Sequence, residues 1–173
     1  MRARRALLPD AEAIRALVEE FAFDGTLLAR SLVEICENIR DFAVVEHSSA
    51  HGPKVIGCGA LHLYGTHLAE IRSIAVRPSA QGLGAGRLLV NALFEEADLH
   101  RVICVCLFTR IPEFFERLGF KTAERTKLPD KIYKDCMSCP RLLACDEIAM
   151  YRGELPQFAI LEPAHADLIK LTL

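Results

Sequence analysis

With 173 residues, a net charge of −2 and 51% hydrophobic residues, the chain has the make-up of an ordinary globular protein with a sizeable core. A balance so near neutrality gives no reason to expect nucleic acid or a membrane surface as partner, and no apolar run reaches the ~20 residues that a spanning helix needs. The basic start at residues 1–5 breaks off at Leu7-Leu8-Pro9-Asp10, before any signal-peptide core, so a cytoplasmic location is expected.

Residues 3–8 read as a first strand. Pro9-Asp10 opens a helix to about Phe23, with Ile14, Leu17, Val18 and Phe21 as its buried stripe and Asp24-Gly25-Thr26 as its end. A second helix is expected at about 30–39. Strands follow at 41–47 and 55–63, joined by a turn at 48–53; Gly57 and Gly59 point to close backbone approach or a bulge. The turn 64–67 leads into a central strand, 68–76, so that three consecutive strands form an antiparallel meander. A glycine-rich turn then opens an amphipathic helix, 84–98. The apolar run 101–108 suits an internal strand, 111–118 a short helix stopped by Gly119, and 120–123 the start of another strand. This is an α/β pattern, a mixed and mostly antiparallel sheet with helices on both faces. It is expected as one domain over 1–173, with a core at about 2–152 and an extension at about 153–173. The apolar tail, with Phe158, Ile160, Leu161, Leu168, Ile169 and Leu171, could complete the sheet, cover a face or pair with a second copy in a homodimer.

The stretch Val76-Arg77-Pro78-Ser79-Ala80-Gln81-Gly82-Leu83-Gly84-Ala85-Gly86-Arg87 carries the chemistry. The first N–H groups of a helix lack carbonyl partners and sit at the positive end of the peptide dipoles. Glycines let a phosphate approach them, and Arg77 and Arg87 add flanking charge. A Walker loop would need Lys-Ser/Thr after its last glycine, where Arg87-Leu88 stands, and the spacing fails the dinucleotide fingerprint. Gln81-x-x-Gly84-x-Gly86, preceded by Ile74-Ala75-Val76-Arg77-Pro78 and followed by Phe114-Phe115-Glu116-Arg117-Leu118-Gly119-Phe120, resembles the GNAT N-acetyltransferases.

That resemblance implies acetyl-CoA as co-substrate. Its pyrophosphate would lie on Gln81, Gly82, Leu83, Gly84, Ala85, Gly86 and Arg87, its arm along Ile74, Ala75 and Val76 in a V-shaped opening between two strands, and its pantetheine against Phe115. Acetyl transfer to an amine needs a base, a donor to the oxyanion and a fate for the thiolate. Strand alternation places Glu70, Arg72, Ile74 and Val76 on one face. Glu70 is the candidate base, directly or through a water; the alternative is a Glu70–Arg72 ion pair. The backbone N–H of Ile74 or a neighbour would meet the thioester oxygen. Many family members carry tyrosine where Phe115 stands, so reprotonation falls to another group, Tyr133 or Thr109, to water, or to no acid at all.

Phe108-Thr109-x-x-Pro112-x-Phe114-Phe115 and the stretch from Leu128 to Met150 resemble a subset of that family, the short bacterial amino-acid N-acetyltransferases that make N-acetylglutamate. This implies L-glutamate as acceptor and the first step of arginine biosynthesis. Its two carboxylates call for cations, with Arg72, Lys131 and Lys134 as candidates. Phe23, Asp24 and Thr26 could border its pocket. Cys136-x-x-Cys139-x5-Cys145 could hold zinc with a fourth ligand from elsewhere, form a redox pair, or be a packed loop; three clear ligands make metal the less favoured reading. The other cysteines (Cys36, Cys58, Cys104, Cys106) read as small buried thiols. Two competing functions stand beside glutamate acetylation: a GNAT enzyme for another small amine, and a regulatory module that binds acetyl-CoA or metal without turnover.

Overall fold

Among the described residues seven strands, β1 (Arg2–Arg5), β2 (Phe42–Ser49), β3 (Gly52–Leu63), β4 (Ala69–Val76), β5 (Cys104–Thr109), β6 (Lys121–Thr122) and β7 (Ile148–Gly153), follow the hydrogen-bonded order β1-β2-β3-β4-β5-β7-β6. The computed structural model describes residues 1–23, 25–49 and 52–160. Asp24, the tip of the 48–53 turn and the apolar tail from 161 onward lie outside the described residues. Helices are α1 (Ala11–Phe23), α2 (Leu32–Glu37), α3 (Ala85–Leu99), α4 (Pro112–Glu116) and the short α5 (Pro129–Lys131). β4 and β5 run parallel, while β1–β2, β2–β3, β5–β7 and β6–β7 are antiparallel, which is the mixed, mostly antiparallel sheet expected. Among the described residues no helix is long and apolar enough to cross a membrane.

The described residues fall into two compact units, one within 1–62 and 71–101 and the other within 63–70 and 102–160, and β4 contributes to both. In the first unit Ile14, Leu17 and Val18 of α1 and Ile35 of α2 are buried with Val44, Cys58, Ala60 and Ala75 from the strands. α2 is shorter than the expected 30–39 because its ends are set by side chains. Ser31 Oγ accepts the Glu34 N–H at 3.2 Å while the Glu34 carboxylate accepts the Ser31 N–H at 2.7 Å, a reciprocal cap. Gly59 is the close approach foreseen: a Cβ there would lie 3.2 Å from Leu89 and 3.3 Å from Leu93, so α3 packs directly on β3.

Asp10 anchors the entry to α1. Its carboxylate accepts the Leu7 N–H at 2.8 Å and a two-pronged grip from Arg4 at 2.7 and 2.9 Å. The Arg4 hydrogen bond holds the carboxyl below its usual range against the opposing pull of burial. A carboxyl lowered on folding stabilises fully above its unfolded pKa, and that contribution disappears as pH falls through the folded value. Asp10→Asn is therefore expected to cost about 1–2 kcal/mol at neutral pH and little in strong acid. Urea denaturation at both pH values checks this; an equal loss at both would contradict it.

In the second unit β5 is buried nearly throughout, with Cys104 and Cys106 packed beside Leu68, Leu128 and Ala149. α4 starts at Pro112, and the chain turns at Gly119 with φ 87°. β6 is two residues long, and β7, unforeseen from the sequence, runs between β5 and β6. Asp130, fully buried, ties this unit together: Oδ2 lies 2.7 Å from His67 Nε2 and Oδ1 accepts the Ile160 N–H at 2.9 Å. The His67 ring stacks on Phe158 with centroids 4.9 Å apart. Asp130→Ala strands a buried imidazole and a backbone donor, so a loss of about 3 kcal/mol in urea unfolding is expected. A loss under about 1 kcal/mol would show that the segment around Ile160 is not held through this carboxylate.

Candidate active site

After β4, the Arg77 N–H donates to the Ile56 carbonyl at 2.8 Å, and one tight turn, Pro78–Ala80, redirects the chain. The Gln81 amide donates to the Val76 carbonyl at 3.0 Å and pins the turn to the strand end. Gly82 at φ 74° and Gly84 at φ 89° adopt backbone that other residues resist, and Gly84 caps α3 without a side chain to fill the helix start. Among the described residues, chain neighbours apart, nothing lies within 4 Å of a Cβ built on either glycine. The Leu88 N–H donates to the Gly84 carbonyl at 3.0 Å, the first turn of α3, and the N–H groups before it lie at the helix's positive end. Gln81, Gly82, Leu83, Gly84 and Arg87 are exposed around it, while Ala85 is buried. Arg77 departs from expectation: its guanidinium turns to Glu20 at 3.8 Å and to the Val55 carbonyl.

The alternation expected along β4 stops at Arg72. Ser73 has φ 54°, a left-handed conformation costing about 1 kcal/mol for a residue with a Cβ, and it reverses the phase of the strand. Ile74 and Val76 now lie over Gly59 and Gly57, and Ala75 enters the core beside Cys58 and Ala60. Arg72 Nη2 lies 3.0 Å from His62 Nδ1, and Arg30 Nε donates to Ser73 Oγ at 2.8 Å. Glu70, Arg72, Ile74 and Val76 therefore do not share one face. Arg30, which the sequence did not single out, meets the strand at the break.

In the second unit Glu70 is buried, with 4% of its side chain exposed, and its partner is Lys131 Nζ at 2.8 Å rather than the arginine two residues along. The Tyr64 hydroxyl lies 3.0 Å from Glu70 Oε2 and 2.6 Å from Asp135 Oδ2. Lys131 Nζ also approaches Asp135 at 3.4 Å. Local folding explains the assembly. The Tyr64 and Gly65 N–H groups both donate to the Leu68 carbonyl, which turns Tyr64 back beside β4. α5 runs into a wide helical turn, Ile132–Cys136, closed by the Met137 N–H on the Ile132 carbonyl, with Lys131 and Asp135 four residues apart on one face. Burial, then the Glu70 and Asp135 carboxylates, push the Tyr64 phenol far up, so it stays protonated. Burial draws the Lys131 amine down, but the same two carboxylates outweigh it and hold it above its ordinary value as an ammonium.

Lys131, expected to meet substrate, is committed to this cluster, and Lys134 Nζ sits 5.6 Å from the centre of the Tyr64 ring. Phe115 is buried edge-on against Phe114 and Phe120. Thr109 is buried and accepts the Ile111 N–H at 3.0 Å; Tyr133 is half-buried. Phe23 is exposed. Cys145 Sγ lies 3.2 Å from Arg125 Nη2, and the Cys139 N–H donates to the Cys136 carbonyl at 3.0 Å. Burial pushes the Cys136 thiol up to about 11. Among the described residues no three His, Cys, Asp or Glu side chains meet as a metal-binding set. Tyr64 and Asp135 were not foreseen as site residues; the Lys131/Asp135 helical spacing was the one local signal for them.

A model of the acetyltransferase (GNAT) domain matches residues 38–122. An uncharacterised N-acetyltransferase of Chlorobaculum tepidum is 42% identical over 152 residues, covering 86% of this chain and 94% of the relative. An amino-acid acetyltransferase of Mycobacterium tuberculosis is 38% identical over 76% of this chain and 75% of its own. Among solved structures, N-acetylglutamate synthase from Neisseria gonorrhoeae, complexed with coenzyme A and N-acetyl-glutamate, matches with a TM-score of 0.77 and 27% identity over 87% of this chain and 34% of that longer one. The glycine-capped helix start after β4 and these matches agree: the chain belongs to the GNAT acetyltransferase family and is similar to its short bacterial amino-acid N-acetyltransferases.

Proposed function

We infer that the protein transfers the acetyl group of acetyl-CoA to the α-amine of an amino acid, L-glutamate, giving N-acetylglutamate as the first step of arginine biosynthesis in the cytoplasm. The observation that carries the reading is β4. It holds a buried carboxylate at Glu70 and a left-handed break at Ser73, and it runs into the open, glycine-capped start of α3.

The coenzyme supplies the thioester, an acyl group already activated for attack. The N–H groups at the start of α3 follow Gly82 and Gly84, whose Cβ positions are clear of the other described residues, and this leaves room for a pyrophosphate. Gln81 keeps the turn in place, and Arg87 adds charge beside it. The phase reversal at Ser73 redirects the backbone of Ser73 and Ile74; an N–H there is the donor assigned to the thioester oxygen, which gains negative charge during attack. An α-ammonium with a pKa near ~8 in peptides must lose a proton first, and Glu70 is the group on this strand able to take it. Arg72 and Arg30, both at the break in β4, are the planar cations suited to a substrate carboxylate. The thiolate is reprotonated by solvent in this reading, since Phe115 has no proton to give.

Incubation with acetyl-CoA and L-glutamate is expected to yield N-acetylglutamate, identified by mass spectrometry, with one thiol released per molecule acetylated. Thiol release with a different acetylated amino acid would keep the chemistry and remove glutamate.

A further inference from the structure

Glu70 is too buried to return a proton to water by itself: 4% of its side chain is exposed, against 28% for Asp135. One hydroxyl links the two, with the Tyr64 oxygen 3.0 Å from Glu70 Oε2 and 2.6 Å from Asp135 Oδ2. A phenol has one proton to donate and lone pairs with which to accept, so it can bond both carboxyl groups at once only when one of them carries a proton. We propose that Tyr64 and Asp135 form a proton path that carries the proton gathered at Glu70 out to solvent. The proposal rests on the reading of Glu70 as the base.

Each transfer balances. The Glu70 Oε1 atom is held by Lys131 at 2.8 Å, so an incoming proton settles on Oε2, facing the phenol. The Oε2–H bond then breaks as a new O–H bond forms on Tyr64, while the original Tyr64 O–H bond breaks as one forms on Asp135 Oδ2. The phenol is neutral before and after, Glu70 is again a carboxylate, and Asp135 releases the proton to water. Rotation of the Tyr64 hydroxyl resets the path.

The surroundings suit this task. Burial and the two carboxylates keep the phenol protonated, so it passes a proton on without ionising. The Lys131 ammonium touches both ends and offsets their negative charge. The other groups facing the cluster are Cys106 on β5, whose thiol burial pushes up, Cys136, pushed up to about 11, and Lys134 over the Tyr64 ring. Both thiols stay protonated at neutral pH and do not compete for the proton.

Tyr64→Phe removes the hydroxyl and keeps the ring; Asp135→Asn removes the terminal acceptor at a half-exposed position. Both are to be assayed as the full chain by thiol release, across neutral and alkaline pH, with rising concentrations of a small buffer such as imidazole. For each variant the expected result is a kcat about tenfold lower with unchanged KM for acetyl-CoA, a displaced pH–rate profile, and a rate that climbs with buffer concentration. Wild type is expected to be indifferent to the buffer. Wild-type kcat and pH profile in both variants, or a lower kcat blind to pH and buffer, would overturn the path. Glu70→Gln separates the two layers: if it keeps wild-type activity, the base assignment fails first. If it is inactive while Tyr64→Phe and Asp135→Asn behave as wild type, only the path falls. Should Tyr64→Phe fail to fold, Asp135→Asn gives the same readout.

Discussion

Glu70→Gln is expected to lower kcat about 10²–10⁴-fold and to leave acetyl-CoA affinity within about twofold of wild type. The substitution keeps size and shape, so the space beside β4 is preserved, but an amide cannot take a proton from an ammonium. Lys131 retains Asp135 at 3.4 Å after the change, and Tyr64 retains its 2.6 Å contact with the same residue, so the surrounding cluster has a partner left. Stopped thiol-release assays give kcat, and calorimetric titration gives the coenzyme affinity. A kcat within about threefold of wild type would mean that the amine loses its proton elsewhere.

Gly84→Glu is expected to weaken acetyl-CoA binding at least about 100-fold, some 2.7 kcal/mol. At φ 89° any residue with a Cβ is strained by about 1 kcal/mol, which lowers stability in free and bound protein alike; the loss of affinity comes from the carboxylate, which enters the space in front of the α3 amides and repels a pyrophosphate. Among the described residues, chain neighbours apart, no atom lies within 4 Å of a Cβ at this position, so there is room for the side chain and the loss falls on the ligand. Gly84→Ala carries the strain without the charge and is expected to cost about 1 kcal/mol of stability while coenzyme affinity stays within about twofold. Unchanged affinity in folded Gly84→Glu would place the coenzyme elsewhere.

Where local pattern determines structure, the sequence was readable. The 3.6-residue stripes of α1 and α3, the apolar run of β5 and the glycines at 82 and 84 each point to one conformation, and each is found. What stayed hidden depends on conformation without a residue signature or on long-range contact. A left-handed serine looks like any other residue in a β-branched strand, so the reversal at Ser73 could not be seen, and the grouping of Ile74 and Val76 with Glu70 failed with it. Tyr64 and Asp135 are 71 positions apart, and only the packing of a short helix beside β4 brings them together. That same packing assigns Lys131 to the carboxylate cluster, although the resemblance had made it a candidate substrate cation. β7 follows the cysteine loop, and its place between β5 and β6 emerged only from pairing.

The most direct measurement is kcat/KM for thiol release from acetyl-CoA with glutamate, glutamine, aspartate and lysine offered separately. Glutamate is expected to exceed each of the others by at least about tenfold: glutamine and lysine lack the second carboxylate that a charge-assisted contact would hold, and aspartate carries it one methylene too short to reach that contact. Coenzyme binding without turnover of any amino acid would contradict the enzyme reading and leave a regulatory acetyl-CoA module in its place.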